Sequence, residues 1–136
     1  MATAFGVFAN GGIRQDLISI LDVADHQGKS LKKLQIQEGD RVLERDVTFL
    51  ISHILSDNNA RTAAFGPSSF LNVSGHSEVS VKTGTTNDRR DNWTIGYTPD
   101  VVVATWVGNN DNTPMSGAVS GVSGASPIWN RIIKFA

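Results

Sequence analysis

The sequence predicts a mixed α/β fold of the α+β type, an antiparallel sheet flanked by helices. Three observations predict it. Between residues 78 and 108, three runs rich in β-branched and aromatic residues (78–85, 92–98 and 101–107) are separated by turn-forming residues, the pattern of a strand meander. Residues 46–57 place Val47, Leu50, Ile51, Ile54 and Leu55 at the i, i+3, i+4, i+7, i+8 spacing of an amphipathic helix. At the other end, Pro127 opens a closing helix over 127–136, proline being tolerated in the first turn because the N–H it lacks has no partner there.

In chain order, residues 2–9 are apolar with small residues interleaved, and Asn10-Gly11-Gly12 stops them. They read as the last turns of a helix that begins further upstream. Residues 13–37 read as a hairpin: Ile13 to Val23 is rich in β-branched residues, Asp25-His26-Gln27-Gly28 supplies turn chemistry, and Leu31 to Ile36 alternates. Asp46 is the expected N-cap of the 46–57 helix, with its apolar stripe buried. Residues 56–77 are polar and aperiodic and read as a long loop, a length usually associated with function or mobility. Tyr97-Thr98-Pro99-Asp100 is a tight reversal. Val101 to Val107 is nearly continuous in apolar residues, so that strand is expected to be covered on both faces. A Gly/Ser-rich loop, 116–124, leads into the closing helix.

A length of 136 residues allows one domain. The hydrophobic fraction of 40% and charged fraction of 18% place the chain among globular proteins rather than disordered ones. A net charge of −1 with scattered Lys and Arg argues against a nucleic-acid partner, because neutralising phosphates needs a clustered basic excess. With no cysteine, neither a disulfide framework nor a thiolate metal site is possible. No run approaches the roughly 18 apolar residues of a membrane-spanning helix.

The chemistry concentrates in Val79-Ser80-Val81-Lys82-Thr83-Gly84-Thr85-Thr86, where a strand ends in a Lys-Thr-Gly triplet. A strand edge offers backbone N–H and C=O groups to an extended peptide, and a glycine lets that peptide approach without a Cβ clash. The lysine supplies positive charge, the threonine hydroxyls can bind a carboxylate, and a backbone N–H can complete an oxyanion hole. Three residues alone are weak evidence, since a Lys at a strand end commonly guards an edge.

The surroundings are more specific. Lys82 to Asp88, then Asp91-Asn92-Trp93, Gly96-Tyr97-Thr98-Pro99 and Trp106-Val107-Gly108-Asn109-Asn110-Asp111 closely resemble the block that contains the Lys-Thr-Gly motif in bifunctional (class A) penicillin-binding proteins. Phe8-Ala9-Asn10-Gly11-Gly12 resembles a helix end upstream of that block, and Pro127-Ile128-Trp129 resembles the family's final helix. The resemblance covers nearly the whole chain and is loosest over 13–77. It implies the C-terminal portion of a transpeptidase domain, with the strands belonging to a larger sheet.

It also implies a serine acyl-transferase that binds the D-Ala-D-Ala end of a peptidoglycan stem peptide and passes the acyl group to a neighbouring amine, with β-lactam antibiotics acylating the same serine. By the same resemblance, Lys82 assists proton transfer and draws in the carboxylate. Thr83, Thr85 and Thr86 bind substrate, Gly84 gives clearance, and the Thr85 N–H serves the oxyanion hole. No cofactor and no metal are implied. The partners implied are the N-terminal half of the domain, stem peptides and β-lactams, in a bacterial, extracytoplasmic protein held to the membrane only by an N-terminal anchor and carrying a glycosyltransferase domain. Strict alternation sets Lys82 and Gly84 on one sheet face and Thr83 and Thr85 on the other, so how all four meet one ligand is left to the geometry of the strand end.

Two segments imitate the family's other motifs. Ser30-Leu31-Lys32-Lys33 fits S-x-x-K, but it follows a glycine turn in a predicted strand, where positions i and i+3 point to opposite faces. Ser56-Asp57-Asn58 fits S-x-N, but it lies at a helix C-terminus close to Lys82, where the family has far more intervening chain. Both are rejected, so the first two motifs are expected upstream of Met1 and the chain alone is expected to be inactive. His26, His53 and His76 lack metal-ligand spacing, Trp93 and Trp106 read as core, and Asp88 to Asp91 and Asn109 to Asp111 read as turns. Two rivals remain: a β-lactamase or D,D-carboxypeptidase portion, and a non-catalytic peptidoglycan-binding or β-lactam-sensing module.

Overall fold

In the computed structural model, residues 1–116 and 123–136 are described; part of the expected 116–124 loop lies outside them. The architecture is a three-stranded antiparallel meander with helices on both faces, preceded by a small two-part β segment. The mixed α/β class with an antiparallel sheet flanked by helices is the one the sequence predicts.

Helix α1 (Ala2–Ala9) ends at Asn10, and Gly11 and Gly12 follow with φ of 59° and 96°. The Gly12 N–H donates to the Val7 carbonyl (2.8 Å), closing the helix end. Gly12 is also the point of closest backbone approach. A Cβ there would lie 2.0 Å from the Leu43 carbonyl oxygen, and the Gly12 carbonyl accepts from the Val42 N–H (2.9 Å).

The expected 13–37 hairpin is smaller than its pattern suggests. Strand β1 (Ile13–Arg14) pairs with β4 (Asp40–Arg41), and the hairpin proper joins β2 (Asp22–Ala24) to β3 (Ser30–Lys33). Its turn is built by Asp25, whose Oδ1 accepts from the N–H groups of Gln27 (2.9 Å) and Lys29 (3.0 Å), with Gly28 at φ 80°. The alternation in Leu31 to Ile36 buries no face: every residue of β2 and β3 is exposed, as are Leu17 and Ile36.

The N-cap position of helix α2 (Arg45–Ser56) is Glu44 and not Asp46, and its side chain makes no capping bond; Asp46 lies in the first turn, where its charge complements the helix dipole. Its expected buried stripe is also displaced. Thr48 is the residue that is buried, whereas Val47, Leu50 and Ile54 are exposed. The helix meets the sheet through small polar side chains. The Ser52 carbonyl accepts from Ser80 Oγ (2.9 Å), and Ser52 Oγ shares a hydrogen bond with the Tyr97 hydroxyl (2.9 Å). Those contacts fix the rotation of α2 and turn the apolar stripe outward.

The expected 56–77 loop contains a helix, α3 (Asn58–Phe65). Asp57 caps it, accepting from the Ala60 N–H at 3.0 Å, and Gly66 at φ 77° ends it.

The meander runs β5 (Ser80–Thr85), β6 (Asp91–Tyr97) and β7 (Val102–Gly108). Pro99-Asp100 form a two-residue reversal closed by the Thr98 N–H on the Val101 carbonyl (2.9 Å). Helix α4 (Ala125–Ile133) lies across one face, and the core forms there from Val79, Val81, Val103, Trp129 and Ile133 with Leu71 and Val73. Trp129 is fully buried against β6, and Gly96 is small because of it: a Cβ there would sit 2.3 Å from the indole.

The opposite face is covered by α1 and α2 only at its Ser80–Tyr97 end, where Phe5 and Phe8 pack on the Tyr97 ring. Strand β7 is therefore covered on one face and not on both. Val103 and Thr105 are buried beneath α4, while Ala104 and Trp106 on the other side are exposed.

Candidate functional site

Strand β5 is an edge of the meander; no further strand pairs with it among the described residues. Its hydrogen-bonding direction follows from one contact at its end. The Thr86 N–H donates to the Asp91 carbonyl (3.1 Å), and inward-facing pairs alternate along an antiparallel ladder. Counting back through the register, Gly84 and Lys82 face β6, whereas the backbone N–H and C=O groups of Thr85, Thr83 and Val81 point to the open edge.

The four residues divide between the two faces of the strand. Register keeps Lys82 and Gly84 on the α1–α2 face, opposite Ile95 and Trp93, and Thr83 and Thr85 on the α4 face, opposite Thr94 and Asn92. Their common ground is the edge itself. Lys82 is exposed, and its ammonium turns around the strand to donate to the Thr83 carbonyl, one of the edge-facing groups.

Gly84 differs from Gly96 and Gly12. Its φ is not positive, and among the described residues a Cβ there would meet only Trp93 Cβ at 3.8 Å, an ordinary contact. No described residue requires glycine at this position. What its absence of side chain provides is open space beside the edge.

The two following threonines are held from below. Asn92, fully buried, donates from Nδ2 to Thr85 Oγ1 (3.1 Å) and accepts from the Ala125 N–H at the start of α4 (2.7 Å). Thr86 Oγ1 donates to Asp91 Oδ2 (3.1 Å) and accepts from the Asp91 N–H (2.8 Å), so this hydroxyl fixes the turn into β6. That turn holds Asp88 and Arg89 at φ 59° and 55°, a conformation disfavoured for side chains with a Cβ.

Beside the edge lies a cleft of about 270 Å³ whose walls include Leu55, Arg61, Leu71, Lys82 and Thr83. A larger cleft, about 370 Å³, lies between α1 and α2 at the opposite end of β5 and includes none of Lys82 to Thr86. Arg61 organises the smaller one. Its guanidinium donates to the carbonyls of Asp57 (3.3 Å), Leu71 (3.4 Å) and Leu55, tying the end of α2 to the segment that returns to β5. Burial pushes its pKa down, and the nearby Asp57 charge opposes that.

The imitation motifs are structural. Ser30 and Lys33 lie in extended β3, where Ser30 Oγ donates to Asp22 Oδ1 (2.5 Å). Ser56 Oγ donates to the His53 carbonyl (3.0 Å), Asp57 caps α3, and Asn58 starts it. His53 stacks on Phe49, and His76 bonds Glu78 (3.0 Å). Trp93 and Trp106 are a half-exposed cross-strand pair and not core, because α1 and α2 stop short of them. Arg61, Asp91 and Asn92 went unnoticed in the sequence as supports of the site. For Asn92 a cue was available, since it stands opposite Thr85 once the hairpin register is drawn.

Comparison with known proteins shows what the chain is similar to. The chain is 32% identical over 140 residues to penicillin-binding protein 1A of Neisseria lactamica, a match that takes in 100% of this chain and 17% of that protein. The chain matches part of a penicillin-binding-protein-1A-like transpeptidase domain. No family model matches it. Among solved structures, penicillin-binding protein 1A from Haemophilus influenzae shares the fold with a TM-score of 0.79 at 23% identity, over 98% of this chain and 25% of that one. Penicillin-binding protein A from Mycobacterium tuberculosis, solved as an imipenem acyl-enzyme complex, does so with a TM-score of 0.71 at 21% identity, over 98% of this chain and 29% of that one. The penicillin-binding relatives are thus several times longer than the segment they share with it.

Proposed function

We propose that residues 1–136 form the C-terminal, substrate-gripping portion of a serine-type D,D-transpeptidase that cross-links peptidoglycan stem peptides through an acyl-enzyme and is acylated by β-lactams. The observation that carries this reading is Gly84: a glycine that no contact among the described residues requires, on a strand edge that no described strand pairs, between Thr83 and Thr85 and two residues after Lys82. An extended peptide can lie along that edge, bonded to the outward N–H and C=O groups of Thr83 and Thr85.

In this reading Lys82 leaves the Thr83 carbonyl to meet the substrate carboxylate and assist proton transfer. The Thr83 and Thr85 hydroxyls bind that carboxylate, and the Thr85 N–H stabilises the oxyanion as it forms. Thr86 contributes through the turn it holds with Asp91. The nucleophilic serine comes from outside these residues, since Ser30 and Ser56 are engaged elsewhere. The reading also makes the longer protein extracytoplasmic, its membrane anchor lying elsewhere too; no described helix is long and apolar enough to cross a membrane. The glycosyltransferase domain belongs to the same proposal.

The test is acylation by a labelled penicillin, followed by intact-mass spectrometry. The chain alone should take up no label. The complete domain should be labelled on a serine of an S-x-x-K motif outside this chain, and Lys82→Ala should slow that labelling by about 100-fold, the scale of lost general acid–base and electrostatic assistance. A stoichiometric adduct on Ser30, or a Lys82→Ala rate within twofold of the parent, would overturn the assignment.

A further inference from the structure

On the sheet face beyond the reach of α1 and α2, two tryptophans stand directly across from each other in register, Trp93 on β6 and Trp106 on β7. Their ring centroids are 6.4 Å apart and their planes are tilted by 49°. Trp106, on the outer strand β7, keeps 39% of its surface exposed. Its orientation is built. Gly108 follows two residues later on the same face, and a Cβ there would lie 2.5 Å from Trp106 Cζ2, so the indole lies over the glycine and along the sheet. Asp91, across from Gly108, fixes the rotation by accepting from Trp106 Nε1 at 2.9 Å. On the other flank Trp93 stands opposite Gly84, which adds no bulk. The result is a patch of two indoles on this face, between Gly84 on β5 and Asp91.

The polar chemistry at its end is one-sided. Trp106 Nε1–H is committed to Asp91 Oδ1, and the Thr86 hydroxyl proton to Asp91 Oδ2. Both donors are therefore spent. What remains is acceptor capacity, because a carboxylate offers about four lone-pair sites and these contacts use two of them. Two neighbouring cations are turned elsewhere: Arg90 donates to the Asn112 carbonyl (2.6 Å) and pairs with Asp88, and Lys82 bonds the Thr83 carbonyl. Indole faces and an under-used carboxylate complement a group that is cationic and only donates. A sugar hydroxyl could donate there but would gain nothing from the charge and find no donor in return, and a carboxylate ligand would be repelled.

We propose that Asp91, Trp93 and Trp106 form a binding site for a primary alkylammonium, with the cation against the indole faces and hydrogen-bonded to the Asp91 carboxylate. Resting on the transpeptidase reading, this site lies across Gly84 from the donor-binding edge and takes the amine of the acceptor stem peptide. It makes Asp91 and the two tryptophans determinants of acceptor specificity.

The three tryptophans make the site directly readable. Labelled with 5-fluorotryptophan, the chain gives one fluorine resonance from each, and fully buried Trp129 serves as the internal control. Titration of a dilute sample with Nα-acetyl-lysine amide, whose only cation is its ε-ammonium, should shift the Trp93 and Trp106 resonances saturably and leave Trp129 in place. The Nε-acetylated compound should move none of them. Asp91→Asn retains an acceptor for the Trp106 indole but loses the charge, and it should weaken binding by about tenfold, the scale of a charge-assisted contact. No shift with the amine, an equal shift with its acetylated form, or unchanged affinity in Asp91→Asn would each overturn the site. If Asp91→Asn displaces Trp129, the comparison of the two compounds on the parent chain decides alone. Failure of penicillin labelling in the complete domain would count against the transpeptidase reading and leave this binding result standing.

Discussion

Gly96 and Gly84 lie on neighbouring strands of one sheet, yet replacing each by alanine should have opposite consequences. In Gly96→Ala the new methyl would start 2.3 Å from Trp129 Cζ2 and 2.7 Å from the Ser80 carbonyl oxygen. Carbon atoms rest at about 3.5–4.0 Å, so an indole with no exposed surface and a backbone carbonyl within the ladder must both move. Overpacking of this kind costs about 1–3 kcal/mol, and the upper end applies because Trp129 is at the centre of the core. For a chain of this size about 3 kcal/mol lowers Tm by roughly 10 °C. In Gly84→Ala the only neighbour among the described residues is at 3.8 Å and the backbone is one alanine adopts freely. Reduced entropy of the unfolded chain should then leave stability unchanged or raise it by about 0.4–1 kcal/mol. Thermal or urea unfolding followed by circular dichroism separates the two. In the complete domain, Gly84→Ala should slow penicillin acylation by about tenfold or more while Tm holds, the loss expected when a methyl displaces the bound ligand from its productive position. A Gly96→Ala midpoint within about 2 °C of the parent would refute the packing argument. A Gly84→Ala variant that melts like Gly96→Ala, or acylates like the parent, would refute the idea that its space is kept for a ligand.

Arg61→Ala leaves the carbonyls of Leu55, Asp57 and Leu71 without their donor. It should cost about 2 kcal/mol, partly recovered in Arg61→Lys, and speed amide hydrogen exchange over 66–79; unchanged exchange there would show that Arg61 does not hold the segment. Asp111 is held below the usual carboxylate range, first by the Thr113 hydroxyl and then by the Thr113 N–H. A depressed carboxyl stabilises above its unfolded value of about 3.9 and loses that contribution as pH falls through the folded value. Asp111→Asn should therefore lower Tm at neutral pH, with the difference from the parent closing as pH falls below the unfolded carboxylate value; a gap that persists in strong acid would point to a cause other than titration. Finally, Val47, Leu50 and Ile54 on α2, Ile128 and Ile132 on α4, and Leu17 and Ile36 in the β segment leave apolar surface uncovered. The chain should self-associate as its concentration rises, measured by size-exclusion chromatography with light scattering; a monodisperse monomer at every concentration would show these surfaces to be tolerated.

The parts legible in the sequence are those held by local rules. Asn10-Gly11-Gly12 stops α1 because a helix end needs left-handed residues, and Pro99-Asp100 turns β6 into β7. The Lys82 strand and its two partners fall within a residue or two of their pattern. The errors about burial share one cause: apolar spacing shows which residues lie on one stripe of an element, not what that stripe meets. The α2 pattern is regular, yet the helix docks through Thr48 and Ser52, because Ser80 and Tyr97 offer hydrogen bonds there. Val101 to Val107 is apolar on both sides, but α4 covers one of them. Helix α3 escaped notice because Ser56-Asp57-Asn58-Asn59 has a turn's composition, although an aspartate is equally a helix cap. Asn92 and Asp91 emerge only from register, since their partners are set by pairing across strands.

Asn92 has a consequence beyond holding a threonine. One side chain receives the first amide of α4 and delivers a proton to the Thr85 hydroxyl, so the edge and the far side of the sheet share a single cross-tie. A small molecule that wedges α4 away from β6 would break the Ala125 contact and free Asn92 to rotate. Thr85 would then lose the donor that orients it, although nothing had touched the edge. An inhibitor acting from that remote side would not need to resemble a stem peptide, and replacements around Gly84 that exclude an antibiotic would leave its foothold intact.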